Sequence, residues 1–149
     1  AMKKRIVLFS LIMLLCMSFL QGCSKDGETS IKVVVNDKGT RIEATLKADE
    51  SKNYKWLYFT ENSKLTASAS EFSNDIFSDT YIQKYAFVID ERDCDILYFV
   101  LYQTDDIEAG KIFEYEVSYN EEGNIELGDQ KDSLLIHNSD LLEKVKAVQ

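Results

Sequence analysis

From Ile31 onward one pattern dominates the chain: apolar and polar residues alternate in short runs separated by turn residues. Ile31, Val33 and Val35 are followed by a turn at Asp37-Lys38-Gly39, and Ile42, Ala44 and Leu46 then alternate with Glu43, Thr45 and Lys47. A two-residue period places every second side chain on one face, so these segments read as strands with one face buried. Tyr54–Thr60 is an aromatic-rich strand, and a short edge strand is expected near Leu65–Ser70, followed by loop to Thr80. Tyr81–Asp90 places Tyr85, Phe87 and Ile89 on one face, and Lys111–Asn120 does the same with Phe113, Tyr115, Val117 and Tyr119. Ile96–Thr104 is apolar on both faces and reads as a central strand; Asn124–Leu127 is a last short one. About seven strands with turn signals every eight to twelve residues predict an all-β, antiparallel sandwich. Near the C-terminus the period changes. Leu141, Leu142, Val145 and Val148 form a helical stripe, and Asp140 with Glu143 resembles a capping box, so a short terminal helix is expected.

The first 22 residues follow a different rule. Lys3, Lys4 and Arg5 precede an almost uninterrupted apolar run, Ile6 to Leu20, which is short for a membrane span and has the length of a signal-peptide core. It ends in Leu20-Gln21-Gly22-Cys23, which resembles a bacterial lipobox. That resemblance implies a diacylglyceryl group on the Cys23 thiol, cleavage before Cys23, and a lipid-anchored protein on the extracytoplasmic face of the cell membrane. The expected organisation is a signal peptide over residues 1–22, a polar tether over 23–30, the sandwich over 31–130 and a C-terminal extension over 131–149. Once the leader is removed and Cys23 is acylated, Cys94 is the one remaining thiol. A disulfide framework within one mature chain is then impossible, and folding rests on the core.

Charge narrows the function classes. The chain holds 26 acidic and 17 basic residues; without residues 1–22 the balance is 26 to 14, net −12. Such a surface repels phosphate backbones and argues against nucleic acid, whereas a protein partner of basic character would match it. Catalytic raw material is scarce. Cys94 sits among Asp90, Glu91, Asp93 and Asp95, which oppose thiolate formation, so it reads as a passive turn thiol. His137, the single histidine, has no motif around it. The Asp90–Asp95 carboxylates lack an EF-hand pattern and read as a solvated acidic turn, as do Asp105, Asp106 and Glu108. Trp56, between Tyr54 and Tyr58, reads as core. No phosphate loop, dinucleotide fingerprint, nucleophile elbow or zinc spacing occurs. No metal, cofactor or enzymatic activity is expected.

The strand order carries a wider similarity. Tyr54-x-Trp56 follows a hairpin and loop; Tyr85-x-Phe87, a hydrophobic strand ending in Tyr102, Phe113-x-Tyr115-x-Val117 and Gly123-x-Ile125 then follow in order. These residues resemble the chagasin-like inhibitors of cysteine peptidases and related clostridial surface lipoproteins. The resemblance implies an immunoglobulin-like sandwich whose three loops at one end wedge into a papain-type cleft. Mapped here, those loops are 49–54, 77–81 and 103–110, with Ser51, Lys52, Asn53, Ser78, Asp79, Thr80, Gln103, Thr104, Asp105 and Asp106 as candidate partner contacts. The scaffold residues match and the inhibitory residues do not. Glu50-Ser51-Lys52-Asn53 replaces the family's Asn-Pro-Thr-Thr-Gly, Phe77-Ser78-Asp79-Thr80 lacks glycine, and Gln103-Thr104-Asp105-Asp106 replaces Arg-Pro-Trp. The expectation is therefore a surface lipoprotein that binds protein, such as an adhesin, an envelope-complex component or an immunity protein. A divergent peptidase inhibitor is the alternative.

Overall fold

The computed structural model describes residues 27–90 and 92–149. The leader, Cys23 and Glu91 lie outside the described residues. Nine strands run in order: β1 (Ser30–Val35), β2 (Ile42–Asp49), β3 (Tyr54–Thr60), β4 (Leu65–Asn74), β5 (Thr80–Ile89), β6 (Asp95–Gln103), β7 (Asp106–Tyr119), β8 (Ile125–Leu127) and β9 (Lys131–Leu134). A helix, α1 (Ser139–Ala147), ends the chain, and 3-10 turns occupy Glu50–Lys52 and Leu135–His137.

The strands form two antiparallel sheets. One has the order β1-β2-β5-β4; the other has β3-β6-β7-β8, with β9 also paired to β7. The first seven strands thus reproduce the two-sheet order of a constant-type immunoglobulin domain, four strands facing three. The antiparallel sandwich and the terminal helix expected from the sequence are both present. β8, the short strand expected near Asn124–Leu127, and β9, which was not expected, lie along the free edge of β7, opposite Val117–Tyr119 and Lys111–Glu114.

Alternation explains the inner core. Ile42, Ala44, Leu46 and Ala48 of β2 and Phe87 of the adjacent β5 point inward and meet Trp56, Phe99, Tyr115 and Val117 from across the sandwich. Trp56 is core, as expected: it is buried, its indole N–H donates to the Lys47 carbonyl at 2.8 Å, and its ring lies 5.4 Å from that of Phe113. A buried indole keeps its apolar contact only if its N–H is satisfied, and β2 of the facing sheet supplies that acceptor.

β6 has a second apolar face because it has a second core. Leu97 and Phe99 face the first sheet, whereas Tyr98, Val100 and Tyr102 face outward and are covered by Leu135, Leu141 and Val145. The helix that supplies this cover starts differently from the sequence expectation. Its N-cap is Asn138, whose side chain accepts the Leu141 N–H at 3.1 Å; Asp140 lies in the first turn and pairs with Lys144. Val148 is exposed, so the buried stripe ends at Val145. Burial pushes the Tyr98 and Tyr115 phenols up, Tyr115 to about 12 with Asp132 adding to the effect, so both remain neutral donors.

Two further boundaries differ from the expectation. β4 continues to Asn74 where loop was expected from Glu71, because an edge strand pairs through its backbone and its exposed side chains need no alternation. β7 starts at Asp106, not at Lys111, so the expected acidic loop 105–110 is mostly strand. Gly110 shows why that segment is tight: a Cβ there would lie 2.9 Å from the Leu135 side chain and 3.0 Å from the Leu101 carbonyl. Gly110→Ala is expected to cost about 1–3 kcal/mol, the usual penalty for overpacking a filled site. Urea unfolding of a leaderless chain, residues 24–149, would measure it, and an unchanged midpoint would show that the outer core yields at no cost.

Candidate partner-binding end

The chain reverses three times at one end of the sandwich. Register requires this: Asp49 of β2 pairs with Thr80 of β5, Tyr54 of β3 with Gln103 of β6, and Gln103 with Asp106 of β7. The connections β2–β3, β4–β5 and β6–β7 therefore converge. Main-chain bonds tie them together. The Glu50 N–H donates to the Asp79 carbonyl at 2.8 Å, and the Thr104 N–H donates to the Asn53 carbonyl at 3.1 Å. The Gln103 side-chain amide adds a donor to the Lys52 carbonyl at 3.0 Å.

Each connection has a local cause. Asp49 is buried and its carboxylate accepts the Ser51 N–H at 3.0 Å and the Ser51 hydroxyl, which caps the 3-10 turn Glu50–Lys52. Lys52 lies 3.9 Å from the same carboxylate. Asn53 leaves the turn at φ +60°, a left-handed conformation that asparagine tolerates better than most residues. In the β4–β5 connection, Asp75 accepts the Phe77 N–H at 2.9 Å and its own N–H donates to the Thr80 carbonyl at 2.9 Å, closing the turn. The β6–β7 connection is a two-residue turn, Thr104-Asp105.

Most of the sequence-predicted contacts are brought to this end, in different states. Ser51, Lys52, Asn53, Asp79, Asp105 and Asp106 are exposed, and Ser78, Gln103 and Thr104 are half-buried. Thr80 is buried: its hydroxyl accepts the Glu28 N–H and meets Ser78, so it supports the loop and is unavailable to a partner. The expected third loop, 103–110, is corrected to a hairpin turn. Between the loops lies a shallow cleft of about 590 Å³, whose lining includes Glu50, Asn53, Tyr54, Lys55, Tyr81 and Gln83. Amide, carboxylate, ammonium and phenol groups meet there, which suits hydrogen bonding and aromatic contact.

No family model, characterised protein or solved structure matches the chain. The residues are thus read on their own chemistry. Ile76 and Phe77, not among the contacts expected from the sequence, stand 87% and 78% exposed at the tip of the β4–β5 connection. Their signal was an apolar pair inside a run of serine, asparagine and aspartate.

The other candidates are not at this end. Cys94 is exposed just before β6, opposite the end of β7 near Val117. His137 follows β9, whose Leu134 pairs with Lys111 of β7. Lys111 and Val117 are separated by about 20 Å of strand, so no Cys–His pair forms. Asp95 is not part of a solvated acidic turn; it is buried and accepts four backbone N–H groups, from Asn62, Lys64, Leu65 and Ile96, at 2.7–3.1 Å. Among the described residues no group of three or more His, Cys, Asp or Glu side chains is placed to hold a metal ion, and no helix is long and apolar enough to cross a membrane.

Proposed function

We propose that this chain is a lipid-anchored protein of the extracytoplasmic membrane face that acts by binding another protein through the loop end, without catalysis. The observation that carries this reading is the convergence of three connections tied by main-chain hydrogen bonds. A surface ordered before binding loses less conformational entropy on docking. Glu50, Asp79, Asp105 and Asp106 make that surface acidic, which favours a basic partner and gives an association that weakens as salt rises. A photo-crosslinking residue placed at Lys52, Asp79 or Asp105 in cells should capture one protein in common, with yield reduced by salt and by Glu50→Lys with Asp105→Lys. Equal capture from Asp37, in the β1–β2 turn at the opposite end, would overturn the assignment.

The second reading is a divergent chagasin-like inhibitor, favoured by the strand order and by buried Trp56 after Tyr54. Two features weaken it. The third loop is a two-residue turn, too short to project as a wedge. It presents Asp105 and Asp106, and burying unpaired carboxylates in a cleft costs several kcal/mol. Each 1.4 kcal/mol is about tenfold in affinity. Assays against a panel of papain-type peptidases should show no nanomolar inhibition; a single nanomolar hit would place this reading first.

A further inference from the structure

The position of residues 27–29 decides which way the domain faces. The Glu28 N–H donates to the Thr80 hydroxyl at 2.8 Å, and the Thr29 hydroxyl accepts the Asp49 N–H at 3.1 Å. Gly27 sits so close to the Asp79 carbonyl and to Asp49 that a Cβ would collide with both. The chain therefore joins the sandwich at the loop end and runs away from it along β1. Cys23 lies four residues before Gly27, a span of at most about 14 Å when fully extended. An anchor at Cys23 consequently holds the loop end, and not the opposite end, beside the lipid.

The most exposed apolar side chains of the described residues are at this same place. Ile76 and Phe77 are 87% and 78% exposed, and Phe77 is two residues from Asp79, the residue against which Gly27 packs. Phe72 by contrast stacks on Tyr81. The turn that carries the pair is closed by the two Asp75 bonds, so it presents Ile76 and Phe77 as a fixed tip. Flanking Asp75 and Asp79 are exposed carboxylates that belong in water, which limits insertion to the two apolar side chains.

We propose that Ile76 and Phe77 seat in the interfacial region of the bilayer beside the lipid on Cys23, and so fix the loop end against the membrane. This rests on the lipid-anchor reading above. A lipid alone leaves the domain free to rotate about its tether; a second, apolar contact removes that freedom. A partner bound at the loop end must then itself be at the membrane, for example through a basic juxtamembrane segment.

The test uses the full, lipidated chain purified from bacterial membranes and placed in phosphatidylcholine vesicles. Lipidation consumes the Cys23 thiol, so native Cys94, at the far end, takes an environment-sensitive fluorophore as the aqueous reference. In Ile76→Cys with Cys94→Ser the fluorophore should be blue-shifted, quenched by lipids carrying a quencher in their chains, and shielded from aqueous iodide relative to the Cys94 probe. Adding Phe77→Asp should return it toward water. Phe77→Cys with Cys94→Ser gives an independent site with the same expected result. Fatty-acid labelling of Cys23 is measured on every sample. A probe at 76 or 77 as open to iodide as that at Cys94, on chain that carries the lipid label, would overturn the inference and leave the anchor standing. Absence of the label would overturn both.

Discussion

Replacing Asp95 with alanine is expected to cost about 3 kcal/mol, a large share of the 5–15 kcal/mol that holds a domain folded. One carboxylate oxygen accepts the Asn62 and Ile96 N–H groups, both at 2.8 Å, and the other accepts those of Lys64 and Leu65 at 2.7 and 3.1 Å. Hydrogen bonds to a charged group are worth roughly 1.5–3 kcal/mol each, and removing the acceptor leaves donors in a partly buried corner without partners. Asn62 and Lys64 belong to the β3–β4 connection, where Ser63 takes a positive φ of 57°, so Asp95 also holds that strained crossing from one sheet to the other. Asparagine is expected to rescue little. Its amide nitrogen would face two donors wherever it was placed, a direct clash of like groups. Burial alone would push the Asp95 carboxyl up, but the four N–H groups together hold it below the usual aspartate range. A lowered folded pKa means that the stabilisation is complete above the unfolded value of about 3.9 and disappears as pH falls through the folded one. The gap between wild type and Asp95→Ala should therefore narrow in acid. Thermal unfolding at neutral pH should show a midpoint lower by roughly 10 °C. A loss below about 1 kcal/mol, or a gap independent of pH, would show that the carboxylate network is dispensable.

Cys23→Ser is expected to abolish anchoring outright. The prediction rests on the 15-residue apolar run ending in Leu20-Gln21-Gly22-Cys23. A hydroxyl cannot replace the thiol in thioether formation, and in the lipoprotein processing proposed for this chain cleavage before residue 23 follows that modification. The variant should accumulate as unprocessed precursor with no fatty-acid label. Conserving the leader and changing Gly22 to a bulky residue should also block processing, since a small residue is required before the cleavage point. Normal labelling of Cys23→Ser would sink the assignment, and with it the orientation argued from Gly27.

Legibility in the sequence followed burial. β2, β5 and β7 could be read because Ile42, Phe87 and Val117 sit on faces that alternate with solvent, and β6 because both of its faces are covered. β9 is not legible because Lys131-Asp132-Ser133-Leu134 is exposed throughout and shows no apolar alternation; it is held by its backbone ladder to β7 and an exposed Lys131–Glu116 pair. Asp95 was misread because a carboxylate in an acidic run looks solvated; only the placement of the Asn62–Leu65 connection around it shows otherwise. The sequence places the three connections at one end, but it extends the third to residue 110 where β7 already begins at Asp106, and the main-chain ties of Glu50, Asp79, Asn53 and Thr104 leave no side-chain trace. Ile76 and Phe77 carried a trace, an apolar pair with no alternation around it, whose meaning depended on where residue 27 lies.

The strand order also sets a timetable. Local hairpins join β1 to β2, β4 to β5 and β6 to β7, and each can form as soon as its own residues are free. Neither sheet closes that way. β2 waits for β5, since Ile42 pairs with Phe87, and β3 waits for β6, since Tyr54 pairs with Gln103. Ladders between distant segments form slowly, because the intervening chain must give up its freedom before the contacts repay it. If the chain is delivered N-terminus first across a membrane, as the proposed lipid anchor requires, Tyr54 and the rest of β3 stay unpaired until the residues up to Gln103 have emerged. Delayed closure of this kind keeps the polypeptide loose enough to be threaded, and makes the interval between β3 and β6 the stage at which proteases and aggregation act on it.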